Sequence, residues 1–115
     1  MQEICWGFYY GLSMKQVKVY ADPKFNDKQM FEIRYGFADG LTIEQVRLYV
    51  KSEFSSKQMR RIREGFRIGL TIEQVKLYVK PKFSSKQMEQ IREFIIENKD
   101  TSINTLKFLI QLEVL

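Results

Sequence analysis

The feature that most constrains the fold is a sequence repeat with a period of 29 residues. Gly-Leu recurs at residues 11–12, 40–41 and 69–70, and Gln-Met recurs at 29–30, 58–59 and 87–88. The segment GLTIEQVRLYVKSEFSSKQM at residues 40–59 returns at residues 69–88 as GLTIEQVKLYVKPKFSSKQM. Neighbouring copies of such a unit bury each other's apolar faces. We therefore predict a single domain over residues 1–115, with an N-terminal half-unit (1–11), repeats at 12–40, 41–69 and 70–98, and a C-terminal segment (99–115).

Helix-capping patterns predict two helices in each repeat. A Ser, Thr or Asn followed three residues later by Gln forms a capping box, which marks the start of a helix. A long helix should therefore begin after Asn26, Ser55 and Ser84, and a short helix after Ser13, Thr42 and Thr71. A glycine suited to a left-handed residue follows each long helix, at Gly11, Gly40 and Gly69. The predicted fold class is all-α, with tandem helix-turn-helix repeats arranged as an α-solenoid whose hand the sequence leaves open.

Apolar positions at helical spacing predict the core. Met59, Ile62 and Phe66 share one helix face. Hydrophobic staples precede the long helices at Phe25, Phe54 and Phe83. Glycine inside a helix is unfavourable, so Gly36 and Gly65 indicate close approach of a neighbouring helix. A tyrosine recurs at Tyr20, Tyr49 and Tyr78, and we expect core rings with hydroxyl groups at the rim.

The two ends of the chain depart from the repeat. Terminal units of a repeat protein usually hide its apolar face, so the aromatic half-unit should cover the first repeat as a lid through Trp6, Phe8, Tyr9 and Tyr10. Residues 99–115 are predicted to form a capping helix that starts after Asp100. This segment is apolar on nearly all sides, so burial by the repeats is expected. The alternatives are a homodimer through this helix and a β-strand from Leu106 onward.

The residue inventory predicts a protein without catalytic activity, metal or cofactor. There is no histidine and only one cysteine, which excludes Cys/His zinc sites and leaves Cys5 without an activating base. Cys5 is expected in the core. The sequence has no phosphate-binding glycine loop, G-x-S-x-G motif or EF-hand spacing. No apolar segment reaches the roughly 20 residues that span a bilayer, and the N-terminus lacks a signal-peptide pattern. We therefore expect a cytoplasmic protein that does not enter a membrane.

Basic residues recur at equivalent positions of the repeats and form three ladders: Lys28, Lys57 and Lys86; Arg34, Arg63 and Arg92; and Lys18, Arg47 and Lys76. The net charge is +5, and the middle repeat carries seven basic and three acidic residues. A ladder of cations can bind an acidic protein groove or a phosphate backbone. Alternatively, duplication copied surface cations along with the core. The candidate interaction residues are an exposed cluster of Arg60, Arg61, Arg63 and Arg67, together with Arg47, Lys57, Arg34 and Arg92. We predict a protein-interaction module, with nucleic-acid binding as the alternative.

The run VYADPKFNDKQMFEIRYGFADGL at residues 19–41 resembles a short helical repeat found in tandem in largely uncharacterised proteins of anaerobic gut bacteria. Such proteins often belong to mobile genetic elements. The resemblance covers residues 7–98, although the later repeats replace Ala-Asp-Pro by Val-Lys-Ser and Val-Lys-Pro. It implies a bacterial accessory factor, and it adds a third alternative, an inhibitor of a host defence nuclease of the anti-CRISPR kind.

Overall fold

In the computed structural model, which describes residues 2–114, the chain is all-helical. The described residues form eight helices and no strand: α1 (Gln2–Tyr9), α2 (Met14–Tyr20), α3 (Asp27–Ala38), α4 (Ile43–Arg47), α5 (Ser56–Arg67), α6 (Ile72–Lys76), α7 (Ser85–Glu97) and α8 (Ile103–Val114). α3, α5 and α7 are the long helices of the repeats, and α2, α4 and α6 are the short ones. The molecule measures 43 × 23 × 16 Å along its principal axes.

The predicted capping boxes are present at the start of every helix from α2 to α7. At the end of α3, Gly40 has φ 89°, which glycine adopts without the steric cost of a side chain. The Gly40 amide donates to the Phe37 carbonyl at 3.0 Å, and the Leu41 amide donates to the Gly36 carbonyl at 3.1 Å. This is the Schellman arrangement that ends a helix and reverses the chain.

The glutamine of the long-helix capping box also joins successive repeats. Gln58 Oε1 accepts from the Ser55 amide at 2.8 Å, as capping requires. Gln58 Nε2 donates to the carbonyls of Phe83 at 2.7 Å and Pro81 at 3.1 Å, both in the loop before the next long helix. Gln29 makes the same pair of bonds to the carbonyls of Phe54 and Ser52.

The core follows the predicted apolar positions. Met59, Ile62 and Phe66 are buried, as are the three staple phenylalanines. α1 packs on α3, and the long helices follow in series, α3 on α5 and α5 on α7. α3 also contacts the short helices α2 and α4 on either side of it in the chain.

The repeated tyrosines are buried completely, so the prediction of hydroxyl groups at the rim was wrong. Tyr49 is 0% exposed, and its hydroxyl donates to the Glu32 carbonyl at 3.0 Å. A Cβ at Gly36 would lie 2.1 Å from Tyr49 Oη, and one at Gly65 would lie 1.9 Å from Tyr78 Oη. The expected close approach at these glycines is confirmed, and its cause is the space each leaves for a tyrosine hydroxyl. Burial raises the pKa of both tyrosines above the ordinary value of 10.0.

The N-terminal helix α1 packs on α2 and α3 of the first repeat, as expected, but its aromatic side chains stay partly exposed. Trp6, Phe8, Tyr9 and Tyr10 are between 43% and 76% exposed. Trp6 stacks on Tyr10 with ring centroids 5.5 Å apart, and Tyr10 in turn lies 5.8 Å from the Arg34 guanidinium of the first repeat. Cys5 is also exposed and not part of the core, because it occupies the position equivalent to Arg34, outside the apolar face.

The C-terminal helix differs from its prediction in two ways. Ser102, and not Asp100, caps α8, since its hydroxyl accepts from the Thr105 amide at 3.3 Å. Before that cap, the Thr101 amide donates to the Asn98 carbonyl at 2.9 Å, which turns the chain between α7 and α8. Burial of α8 is one-sided, with Leu106 and Ile110 buried while Phe108 is 59% and Leu112 65% exposed. The strand alternative is wrong, because residues 103–114 are helical.

Candidate interaction surfaces

Buried Glu32 of α3 is the centre of an ion-pair network that joins two repeats. Its carboxylate is 1% exposed and contacts Arg60 Nε at 3.1 Å and Arg63 Nη2 at 3.2 Å, both from α5. Arg63 Nη1 also reaches Asp39 Oδ2 at 2.8 Å, and its guanidinium lies 5.0 Å from the centre of the Tyr35 ring. Arg63 is 7% exposed. A carboxylate and a guanidinium this deeply buried require each other.

A second network joins α5 to α7 around Glu64. Its Oε1 accepts from Arg61 Nη1 at 2.9 Å and from Arg92 Nη1 at 3.2 Å. Arg61 Nη2 also contacts Glu89 Oε2 at 3.4 Å. The middle repeat is thus tied electrostatically to the repeat on each side.

The two networks shift the pKa of their members in favour of the charged forms. Burial alone would lower the pKa of Arg63, but the hydrogen bond to Asp39 and the charge of Glu32 raise it. Burial alone would raise the pKa of Glu64, but the hydrogen bonds and charges of Arg61 and Arg92 hold it below the ordinary value of 4.5. Both side chains are therefore held as ions.

The arginines of the predicted cluster differ in exposure and in their partners. The expected exposure of the whole cluster was wrong for Arg63, which is buried because it neutralises Glu32. Arg60, Arg61 and Arg92 are exposed or half-buried, and each has a carboxylate partner. Much of the charge excess of the middle repeat is neutralised by acidic residues of its neighbours, Glu32, Asp39 and Glu89.

The remaining predicted residues lie apart from one another. Arg34 is half-buried, and its guanidinium lies 5.8 Å from the Tyr10 ring centre and 5.4 Å from that of Phe31. Arg47, Lys57 and Arg67 are exposed. Within the part of the chain that the structure describes, none of these three forms an ion pair.

Four lysines that form no ion pair with the described residues surround a groove between α6 and α8. The groove encloses about 320 Å³, and its rim carries Lys76, Lys80, Lys82 and Lys107 beside a single carboxylate, Glu73. Three of the lysines are exposed and Lys80 is half-buried. Its floor is apolar and consists of Leu77, Phe83, Ile103 and Ile110.

A second groove, between α2 and α4, repeats part of this chemistry. It is lined by Lys15, Lys18 and Arg47 around Val19 and Val50. Lys18, Arg47 and Lys76 occupy equivalent positions of the three repeats. The short helices thus present cations along the molecule, whereas the arginines Arg60, Arg61, Arg63 and Arg92 of the long helices form ion pairs.

Sequence reasoning found Lys18, Arg47 and Lys76 as a ladder but missed Lys80, Lys82 and Lys107. Lys80 and Lys82 flank Pro81, which ends a helix. This pair of cations could have been recognised from the sequence as part of a basic surface. Lys107 joins them only because α8 folds back beside α6, which local sequence does not show. Among the described residues, no group of three His, Cys, Asp or Glu side chains could hold a metal ion.

Comparisons of the chain with protein-family models, with curated proteins and with solved structures found no match. The resemblance of the repeats to those of gut-bacterial mobile elements therefore stays a prediction. Over the part of the chain that the structure describes, no helix is long and apolar enough to cross a membrane.

Proposed function

We propose that the chain is a non-catalytic protein-interaction module, a short α-solenoid that binds an acidic protein segment through the α6–α8 groove. The observation that carries the proposal is the combination of four lysines and an apolar floor in one groove. Acidic side chains of a partner would pair with the lysines, while an apolar side chain between them would fill the floor. Such a role fits a cytoplasmic accessory factor of a bacterial mobile element.

Nucleic-acid binding is the second candidate, and the ladder of Lys18, Arg47 and Lys76 favours it. Two observations weigh against it. The repeated tyrosines Tyr20, Tyr49 and Tyr78 are fully buried and cannot stack on bases, whereas single-strand binders present aromatic faces to the bases. The apolar floor of the α6–α8 groove also has no apolar counterpart on a phosphate backbone, which would contact only the polar residues around it.

Inhibition of a host defence nuclease by occupying its nucleic-acid site is supported less well. A site that binds nucleic acid is positively charged, so an occupant that mimics the nucleic acid should be acidic. The net charge of this chain is +5, and its short helices carry four basic residues, Lys15, Lys18, Arg47 and Lys76, against two acidic ones, Glu44 and Glu73.

Fluorescence anisotropy with two labelled probes tests the proposal. One probe is an amphipathic helical peptide with Glu on one face and Leu on the other, and the other probe is duplex DNA. Each is titrated across a salt series. The groove variant changes Lys76, Lys80, Lys82 and Lys107 to Gln. The control variant removes the same amount of charge elsewhere, by changing Lys28, Lys57, Lys86 and Arg67 to Gln.

We expect the peptide to bind and the groove variant to weaken it about tenfold, since four exposed ion pairs contribute about 0.2–1 kcal/mol each. The control variant should weaken it much less. Equal losses in the two variants, or no peptide binding at low salt, would contradict the proposal. DNA binding that falls steeply with salt and is weakened by both variants would establish the second candidate instead.

A further inference from the structure

Helix α8 occupies the place of a further short helix beside α7. α4 and α6 each contact the long helix that precedes them, and α8 contacts α7 in the same way. Residues 102–110 (SINTLKFLI) align without a gap with residues 71–79 of the third repeat (TIEQVKLYV). The two segments begin 31 residues apart, instead of the 29 residues that separate the repeats, and this difference hides the likeness in the sequence.

Aligned residues of α6 and α8 have the same local roles. The hydroxyl groups of Thr71 and Ser102 each accept from the amide three residues later, and Val75 and Leu106 are both 0% exposed. The alignment also pairs two exposed lysines. The ladder of cations on the short helices therefore continues onto α8 and has four members: Lys18, Arg47, Lys76 and Lys107.

The same alignment identifies the two grooves beside the short helices as copies of one structure. The α2–α4 groove is lined by five residues: Lys15, Lys18, Val19, Arg47 and Val50. All five of their counterparts two units further along the chain line the α6–α8 groove: Glu73, Lys76, Leu77, Lys107 and Ile110. Each groove therefore lies between two consecutive cations of the ladder and has an apolar side chain on each side.

The surface between the two grooves carries the same residue types. The equivalent residues of the second and third repeats are Arg47, Leu48, Lys76 and Val79. All four cations of the ladder are exposed, and none of them forms an ion pair with another described residue. A row of cations with apolar residues beside it is complementary to an acidic segment that extends over both grooves.

The distance between the grooves follows from the packing of the long helices. α3 contacts both helices of the α2–α4 groove, α7 contacts α8, and α3 and α7 both pack on α5. Packed helices are roughly 8–10 Å apart, so roughly 16–20 Å separates the two grooves. An extended chain advances about 3.3 Å per residue, so about six residues reach from one groove to the other.

We infer that the partner is an extended acidic segment that binds both grooves at once, with an apolar residue between carboxylates at two places about six residues apart. Each apolar residue enters one groove, and the carboxylates beside it pair with the ladder cations on either side. The second contact is then intramolecular, so it raises the affinity of the whole segment. The inference rests on the proposed function, because one of the two contacts is the one made in the α6–α8 groove.

Fluorescence anisotropy at low salt with three labelled peptides tests the inference. The widely spaced peptide, Glu-Leu-Glu-Gly-Ser-Gly-Glu-Leu-Glu, has its leucines six residues apart. The closely spaced peptide, Glu-Leu-Glu-Glu-Leu-Glu, has the same charge with its leucines three residues apart, and the single peptide is Glu-Leu-Glu-Gly-Ser-Gly-Ser-Gly-Ser. The distal variant, Lys15→Gln with Lys18→Gln, alters the α2–α4 groove. Its control, Lys28→Gln with Lys86→Gln, removes the same charge from exposed positions of α3 and α7.

We expect the widely spaced peptide to bind at least about tenfold more tightly than the single peptide. The distal variant should remove that gain, whereas its control should keep it. The closely spaced peptide cannot reach from one groove to the other, so it should bind the distal variant and the control equally.

Undiminished binding of the widely spaced peptide to the distal variant would overturn the inference. The proposed function would still stand if the groove variant weakened that peptide. No binding of any peptide, the helical probe included, would overturn both. Single-stranded DNA that binds more tightly than the peptides, and is weakened by the distal variant, would overturn the inference and assign the ladder to a phosphate backbone.

Discussion

Gly65 and Tyr78 form a matched pair of residues whose partnership can be tested by substitution. A Cβ at Gly65 would lie 1.9 Å from Tyr78 Oη, so Gly65→Ala should destabilise the protein by about 1–3 kcal/mol, as overpacking does. In an unobstructed helix the same change would stabilise by up to about 1 kcal/mol. The measurement is the free energy of unfolding in denaturant.

Tyr78→Phe provides the control for this substitution. The Tyr78 hydroxyl has no hydrogen-bond partner among the described residues, so its removal alone should change stability little. In the double variant the clashing oxygen is gone, and much of the loss should be recovered. Equal losses for Gly65→Ala with and without Tyr78→Phe would show that the hydroxyl is not the obstacle.

Glu64 should make the stability of the protein depend on pH. Its folded-state pKa is lowered below 4.5, so its ion pairs stabilise the fold fully above that value. The stabilisation is lost as the pH falls through 4.5 toward the folded-state pKa. Unfolding free energies measured against pH should show a gap between the unaltered protein and Glu64→Gln near neutral pH that narrows in acid.

Removal of the arginine partners is the control for this pH effect. When Arg61 and Arg92 are both changed to Gln, the further change Glu64→Gln should produce no comparable gap, because the groups that lower the pKa are absent. A gap that persists in that background would mean that Glu64 stabilises the fold by some other contact.

Residue-level contacts divide into those that the sequence predicts and those that it does not. The recurrence of Gly and Tyr thirteen residues apart, as in Gly36 and Tyr49, was an available signal for their contact. The burial of Arg63 was harder to predict, because its partners lie 24 and 31 residues away and belong to the preceding repeat. Its burial follows from the way α3 and α5 pack, which capping and periodicity do not specify.

At the scale of the helices, Gln29 and Gln58 each cap a long helix and also bond to the next repeat. A glutamate could make the capping bond but could not donate to the next repeat. Gln58 accepts a capping bond through Oε1 and donates two bonds through Nε2. In Gln58→Glu the carboxylate could still cap α5, but it would face the carbonyls of Pro81 and Phe83 without a hydrogen. We expect a loss of about 1–3 kcal/mol in the free energy of unfolding.

Gln87→Glu is the matched control at the equivalent position. Gln87 caps α7 through Ser84, and it has no carbonyl partner for its amide nitrogen among the described residues. A carboxylate near the start of a helix is favourable, so this change should be close to neutral. If both substitutions cost the same, the contact between Gln58 and the next repeat does not contribute to stability.

Helix starts and stops were predictable because hydrogen bonds between residues a few positions apart set them. The boxes at Asn26 and Thr42 and the reversal at Gly40 are of this local kind. The cap of α8 was missed because two polar candidates, Asp100 and Ser102, lie close together in the sequence. Which one caps the helix depends on the turn after Asn98.

On the scale of the whole molecule, the cations fall into two groups. Four arginines of α5 and α7, above all Arg63, form ion pairs that join neighbouring repeats, whereas Lys57 and Arg67 of α5 form none among the described residues. The cations of the short helices and of α8 surround grooves and face solvent. Charge counted along the sequence cannot separate the two groups, because it contains no information about which acidic residue of another repeat lies opposite.

Denaturant unfolding of two triple variants tests this division most directly. One variant changes Arg61, Arg63 and Arg92 to Gln. The other changes Lys18, Arg47 and Lys76 to Gln, which occupy one position of the short helix in each repeat. The arginine variant should lose at least about 3 kcal/mol, because it leaves buried Glu32 with only the exposed Arg60 and removes both arginine partners of Glu64. The short-helix variant should lose no more than about 1.5 kcal/mol, as exposed changes do. Equal losses, or a larger loss in the short-helix variant, would contradict the assignment of the arginines to the fold and of the short-helix cations to binding.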